Sequence, residues 1–141
     1  MAPTNPERIE CFFDGSCRGN QFREKGPMRA AYVIGDREVV RDVPDLRTRE
    51  GLLRSNNVAE YHGLIFLLRE LSEMDRHRGR KAAYTIYGDS QLVIRQVKGT
   101  YQVRAQHLIG LRTEAHRLAA EIDVTLREVP RGRNKAGFLL E

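Results

Sequence analysis

Arg8-Ile9-Glu10-Cys11-Phe12-Phe13-Asp14-Gly15 is the stretch on which the fold turns. It is short, apolar in its second half, and ends at an Asp-Gly pair, so it reads as a strand delivered into a turn. Arg18 to Pro27 follows as a polar loop holding two glycines and a proline. Ala30 to Ile34 and Glu38 to Val43 are β-branched or aromatic runs split by Gly35-Asp36, which is the pattern of a hairpin. The opening of the chain is therefore an antiparallel meander of three strands.

Downstream the period changes. Tyr61, Leu64, Ile65, Leu68 and Leu71 recur at helical spacing, predicting an amphipathic helix over Val58 to Leu71. Asn57 stands where it can cap that helix, with Glu60 closing a capping box. Ala82 to Tyr87 reads as the next strand, stopped by Gly88, and Asp89 begins a helical stretch. Leu108, Leu111, Ala115, Leu118 and Ile122 mark another helix, Val124 to Val129 a last strand, and Asn134 to Leu140 a short helix after the Pro130–Arg133 turn. Three neighbouring strands followed by alternation predict an α/β domain: a mixed sheet with helices on both faces. Met1 to Glu7 carries two prolines and reads as a loose tail, leaving 8–141 as one domain.

Composition agrees. In 141 residues, 40% hydrophobic and 30% charged, there is enough apolar material for one core and too much for a disordered chain. The net charge of +5 fits a polyanionic partner. Much of it is concentrated. Arg76, Arg78, Arg80, Lys81, Arg95, Lys98 and Arg104 stand against the single acid Asp89, so phosphate binding through this segment should weaken with salt. No apolar run approaches the length of a membrane span, and no charged-then-apolar leader opens the sequence. The expectation is a soluble, cytoplasmic monomer. Cys11 and Cys17 are too few for a zinc site or a disulfide framework, and no disulfide is expected.

Three acids fall where a sheet protein builds a site: Asp14 ending the first strand, Glu60 one turn into the first helix, and Asp89 after the fourth strand. Each has a plainer use, as turn residue, capping-box partner and N-cap respectively. Together they suggest a cluster at one edge of the sheet. Carboxylates that close repel one another and need a divalent cation to stay ionised. All-oxygen ligands without His or Cys favour Mg²⁺ or Mn²⁺ over zinc.

The surrounding segments carry a resemblance. Asp14-Gly15-Ser16-Cys17-Arg18-Gly19-Asn20, Ser55-Asn56-Asn57-Val58-Ala59-Glu60 and Tyr87-Gly88-Asp89-Ser90-Gln91-Leu92-Val93 resemble, in order and spacing, the signature blocks of type 1 ribonuclease H. Val129-Pro130-Arg131 with Asn134 resembles the last block more weakly. The resemblance spans Ile9 to Leu140. It implies a ribonuclease H fold with a five-stranded mixed sheet whose first three strands are antiparallel. It also implies an endonuclease that hydrolyses the RNA strand of an RNA–DNA hybrid with two metal ions about 4 Å apart. Asp14, Glu60 and Asp89 would be the catalytic metal ligands. Cys17, Arg18, Gly19, Asn20, Asn56, Asn57 and Gln91 would meet the hybrid, where amides can both donate to and accept from the 2′-hydroxyl.

The sequence departs from the family pattern at its last block. A catalytic Asp is expected four residues after Asn134, where this chain has Phe138; a one-residue deletion would move the slot to Gly137. Three outcomes are consistent with that loss: hydrolysis with three carboxylates, substitution by Glu141 reaching back one helical turn, or a module that binds hybrids without cutting them. Another metal-dependent nucleic-acid hydrolase of the same fold is a further alternative. The loop Pro130-Arg131-Gly132-Arg133 lacks the His that many members carry there, and Arg131 or Arg133 is placed to contact phosphate instead.

Overall fold

The computed structural model describes residues 8–19 and 26–141. The expected tail at 1–7, Asn20 and most of the loop before Pro27 lie outside the described residues. Strand β1 runs Arg8–Cys17, β2 Met28–Ile34 and β3 Arg37–Val43, and the three pair as the antiparallel meander expected, with Phe13 opposite Tyr32 and Tyr32 opposite Val39. A small hairpin, β4 (Leu46–Thr48) and β5 (Gly51–Leu53), precedes helix α1 (Asn56–Arg78). Strand β6 (Ala83–Gly88) returns parallel to β1, helices α2 (Gln91–Lys98) and α3 (Gln106–Ala120) follow, and β7 (Asp123–Glu128) lies parallel to β6. The sheet order is β3-β2-β1-β6-β7.

This order brings the site together. Strands β1, β6 and β7 point the same way, so their C-terminal ends share one edge, where ligand sites of open α/β sheets form. The period-2 alternation of β1 then sorts its side chains. Cys11 and Phe13 face the main core with Tyr32, Tyr84, Ile86 and the buried stripe of α1; Phe12 faces the opposite side. Residues of α1, α2 and α3 all belong to the first core, so the helical cover of the two faces is unequal. The second face is closed by residues 136–140, where Ala136, Leu139 and Leu140 pack on Phe12, Ala31 and Val33.

Three local expectations are revised. The β4–β5 hairpin went unseen because strands of three residues are too short to show alternation. Helix α1 continues past Leu71 to Arg78 and stops at Gly79, whose left-handed φ of 72° closes the C-cap. Residues 134–140 form no α-helix. Two 3₁₀ turns, Arg131–Arg133 and Gly137–Leu140, flank Asn134, whose side chain accepts from the Ala136 amide and so competes with helical bonding.

Both cysteines are buried, and neither forms a disulfide among the described residues. Burial pushes the Cys11 thiol up to about 12. No helix is long and apolar enough to cross a membrane, among the described residues.

Candidate active site

The plainer uses of Glu60 and Asp89 do not survive. The N-cap of α1 is Ser55, whose hydroxyl accepts from the Val58 amide at 3.1 Å, so neither Asn57 nor Glu60 is needed for capping. The N-cap of α2 is Ser90, accepting from Val93 at 3.2 Å, not Asp89. Both acids are thereby released toward Asp14. Asp14, Glu60 and Asp89 each offer a carboxylate oxygen, and these oxygens all lie within 4.8 Å of one another.

Two glycines make the convergence possible. A Cβ on Gly15 would lie 2.2 Å from the Ala59 carbonyl carbon, and one on Gly63 would lie 2.5 Å from the Asp14 carbonyl oxygen. Only bare backbone at both positions lets α1 rest directly on the end of β1, which sets Glu60 beside Asp14.

Electrostatics at the cluster are those of crowded acids. Burial raises the Asp14 carboxyl to about 6, reinforced by the Asp89 charge and opposed by the Gly15 amide and Arg131. Burial raises Glu60 to about 8, reinforced by Asp14 and Asp89 and opposed by the Ser90 hydroxyl and Arg131. A divalent cation would cancel the repulsion that adds to this effect of burial. The donor set, three carboxylates within reach of one ion, fits a hard cation.

Asn134 ties the arrangement down. Fully buried, it donates to the Phe13 carbonyl at 2.9 Å and reaches Asp89 Oδ2 at 3.4 Å, so it links the end of β1 to the acid that follows β6.

Two of the amides expected at the hybrid, Asn56 and Gln91, share cavities with the acids. Asn56 lines a cavity of about 240 Å³ with Asp14, Gly15, Ser16, Glu60, Arg131, Gly137, Leu140 and Glu141. Its Oδ1 also accepts from the Cys17 amide at 2.7 Å, holding the end of β1 against α1. Gln91 lines a second cavity with Asp89, Glu128 and Arg131, and Asn57 lines a third with Gln96, Tyr101 and Arg104. Arg18 and Gly19 follow β1, with Arg18 exposed, whereas Arg133 lines none of these cavities. Cys17 is buried, so its side chain is withdrawn from the surface.

The geometry also bears on the missing acid. Phe138 is 52% exposed, whereas a Cβ on Gly137 would lie 3.1 Å from Asp14 Oδ2. Gly137 is thus the position that faces the cluster, and Glu141 reaches the same cavity from farther along.

The basic segment is divided. Arg76 and Arg78 pair with Glu73 and Asp75 at the far end of α1, a 23-residue helix about 34 Å long, and Arg80 and Lys81 precede the start of β6. Arg95 pairs with Glu128. Arg95, Lys98 and Arg104 belong to the part of the chain that follows Asp89.

No protein-family model matches the chain. It is 30% identical over 138 residues, 96% of its length, to ribonuclease HI of Halobacterium salinarum, of which it spans 63%. It is 31% identical over 122 residues to the bifunctional protein Rv2228c of Mycobacterium tuberculosis, of which it spans 31%. Among solved structures, the RNase H1 of Halobacterium salinarum superposes with a TM-score of 0.74 at 28% identity, covering 95% of this chain and 94% of that one. LC11-RNase H1 in complex with an RNA/DNA hybrid superposes at 0.73 and 26% identity, covering 91% and 89%. In its sheet order, in the clustering of the three acids and in these relatives, the chain is similar to type 1 ribonucleases H.

Proposed function

We propose that this chain is an endonuclease that hydrolyses the RNA strand of RNA–DNA hybrids. The observation that carries the reading is the meeting of Asp14, Glu60 and Asp89 within 4.8 Å, with Asn56 and Gln91 lining the cavities that hold them. Asp14, Glu60 and Asp89 would hold Mg²⁺ or Mn²⁺. When bound, the cation activates water and stabilises charge on the phosphoryl and leaving oxygens. The amides select RNA through its 2′-hydroxyl. Asn134 keeps Asp89 in place, and the Ser90 hydroxyl orients Glu60. The net reaction forms one P–O bond to a water oxygen as the bond to the leaving sugar oxygen breaks. The two-ion version of this chemistry would take Glu141 as its fourth carboxylate.

A second reading, a module that binds hybrids without cutting them, is favoured by the absence of a carboxylate at both 137 and 138. One experiment separates the two: a labelled hybrid is incubated with Mn²⁺ and the wild-type or Asp14→Asn protein. Cleavage by the wild type, reduced at least about a hundredfold in the variant, supports the enzyme. Equal binding by both without cleavage would leave the binding module in its place.

A further inference from the structure

A cavity of about 760 Å³ lies between the last turns of α1 and α3 and the turn that enters β6. Asp75 borders it and stands about 22 Å along α1 from Glu60, so it is remote from the acid cluster. Both helix ends are closed by their own caps. The Gly79 and Arg80 amides donate to the Arg76 and Asp75 carbonyls, and the Glu121 and Ile122 amides to those of Leu118 and Ala119. Side chains, rather than these carbonyls, therefore set the charge in the cavity.

Most of the cations around it are already engaged. Arg76 pairs with Glu73, Arg69 with Glu114, and Arg117 with Glu114 and Glu121. Arg80 and Lys81 are exposed on the rim and form no ion pair among the described residues. Among the lining residues and their ion-pair partners, six cations stand against four acids, so the excess equals these two side chains. Below them Asp75 is only 7% exposed. Its Oδ1 accepts from the Ala82 amide at 3.1 Å, the Tyr84 hydroxyl at 2.7 Å and Arg78 at 3.4 Å. Its Oδ2 is buried with no hydrogen-bond partner among the described residues. A buried carboxylate oxygen without a donor costs free energy that an incoming donor recovers. Leu118 and Ile122 add an apolar surface to the same cavity.

We propose that this cavity binds a free nucleoside phosphate: the phosphate on Arg80 and Lys81, the base against Leu118 and Ile122, and a hydroxyl or amino group donating to Asp75. The combination selects the class. Inorganic phosphate would use the two cations and leave Asp75 without a donor, while an uncharged nucleoside would leave the cations unused. The volume is that of a small-molecule site, whose range is about 300–1,000 Å³. The inference does not depend on the hydrolase reading.

Equilibrium dialysis of the full chain against labelled AMP, without divalent cations, should show one saturable site per chain. Adenosine and inorganic phosphate should each compete at least about tenfold more weakly than unlabelled AMP. Arg80→Gln and Lys81→Gln, both on the exposed rim, should each weaken AMP about tenfold and together about a hundredfold. Asp75→Asn should weaken AMP and leave inorganic phosphate unchanged; if that variant melts early, the rim variants carry the test alone. Arg131→Gln, at the acid cluster, should leave AMP affinity unchanged. Absence of saturable AMP binding, or an affinity untouched by the double rim variant, would overturn the proposal. Loss of AMP binding in Arg131→Gln would also overturn it, by putting the nucleotide at the acid cluster. A double rim variant with weaker hybrid binding and unaltered AMP affinity would assign the rim to nucleic acid instead.

Discussion

At the scale of the residue, position 137 decides how far the site departs from its relatives. Counting from Asn134 points to Phe138 as the lost acid, but counting assumes a regular helix and the chain makes 3₁₀ turns there. The backbone turns Gly137 toward Asp14 and leaves Phe138 half in solvent. Gly137→Asp should therefore raise Mn²⁺ affinity by about tenfold or more, the gain from one added carboxylate ligand. Phe138→Asp should leave it unchanged. Calorimetric titration of both variants checks this, and a gain confined to Phe138→Asp would put the slot back where simple counting has it. Without metal, Gly137→Asp should be the less stable protein, since it adds a fourth like charge to a cluster that already resists ionisation.

At the scale of the element, the approach of α1 to β1 is the feature that makes a site out of a fold. Gly63→Ala places a methyl 2.5 Å from the Asp14 carbonyl oxygen, so α1 has to lift. We expect a loss of about 1–3 kcal/mol by denaturant melts. Mn²⁺ affinity should fall with it, because Glu60 rides one turn ahead of Gly63. Gly110→Ala on α3 meets nothing within 4 Å and should be neutral or stabilising by up to about 1 kcal/mol. Equal behaviour of the two variants would remove the close approach as the cause. This contact also shows what the sequence could reveal. The three-strand meander, the stripe of α1 and the acids at strand ends were legible, because each is written in local periodicity and punctuation. The caps are not legible: Ser55 stands two residues from Asn57 and Ser90 one residue from Asp89, and only the backbone geometry separates such close candidates. The tying role of Asn134 and the slot at Gly137 were hidden, since both depend on a chain separation of more than 120 residues closing onto β1.

At the scale of the whole molecule, the crowded acids make protons and a divalent cation compete for the folded protein. Folded Asp14 titrates near 6 and Glu60 near 8, against roughly 4 for carboxylates in an unfolded chain. Between pH 4 and 8 the folded protein therefore holds more protons than the unfolded one, and metal-free stability falls as pH rises through that window. Saturating Mn²⁺ should exchange those protons for the ion, making the protein more stable toward pH 8. Asp14→Asn should flatten the metal-free slope. Thermal midpoints measured from pH 4 to 8, with and without Mn²⁺, provide the check; a metal-free midpoint that climbs across this range would contradict the assignment.

The segment from Arg131 to Leu140 serves two surfaces at once. Its apolar residues close the second face of the sheet over Phe12, Ala31 and Val33, while Arg131, Asn134 and Gly137 form a wall of the acid cluster. Any fluctuation that peels this strip away uncovers the sheet and opens the acid cluster in a single event. Cover of the sheet and integrity of the acid cluster should therefore be lost together, as one unit of local opening.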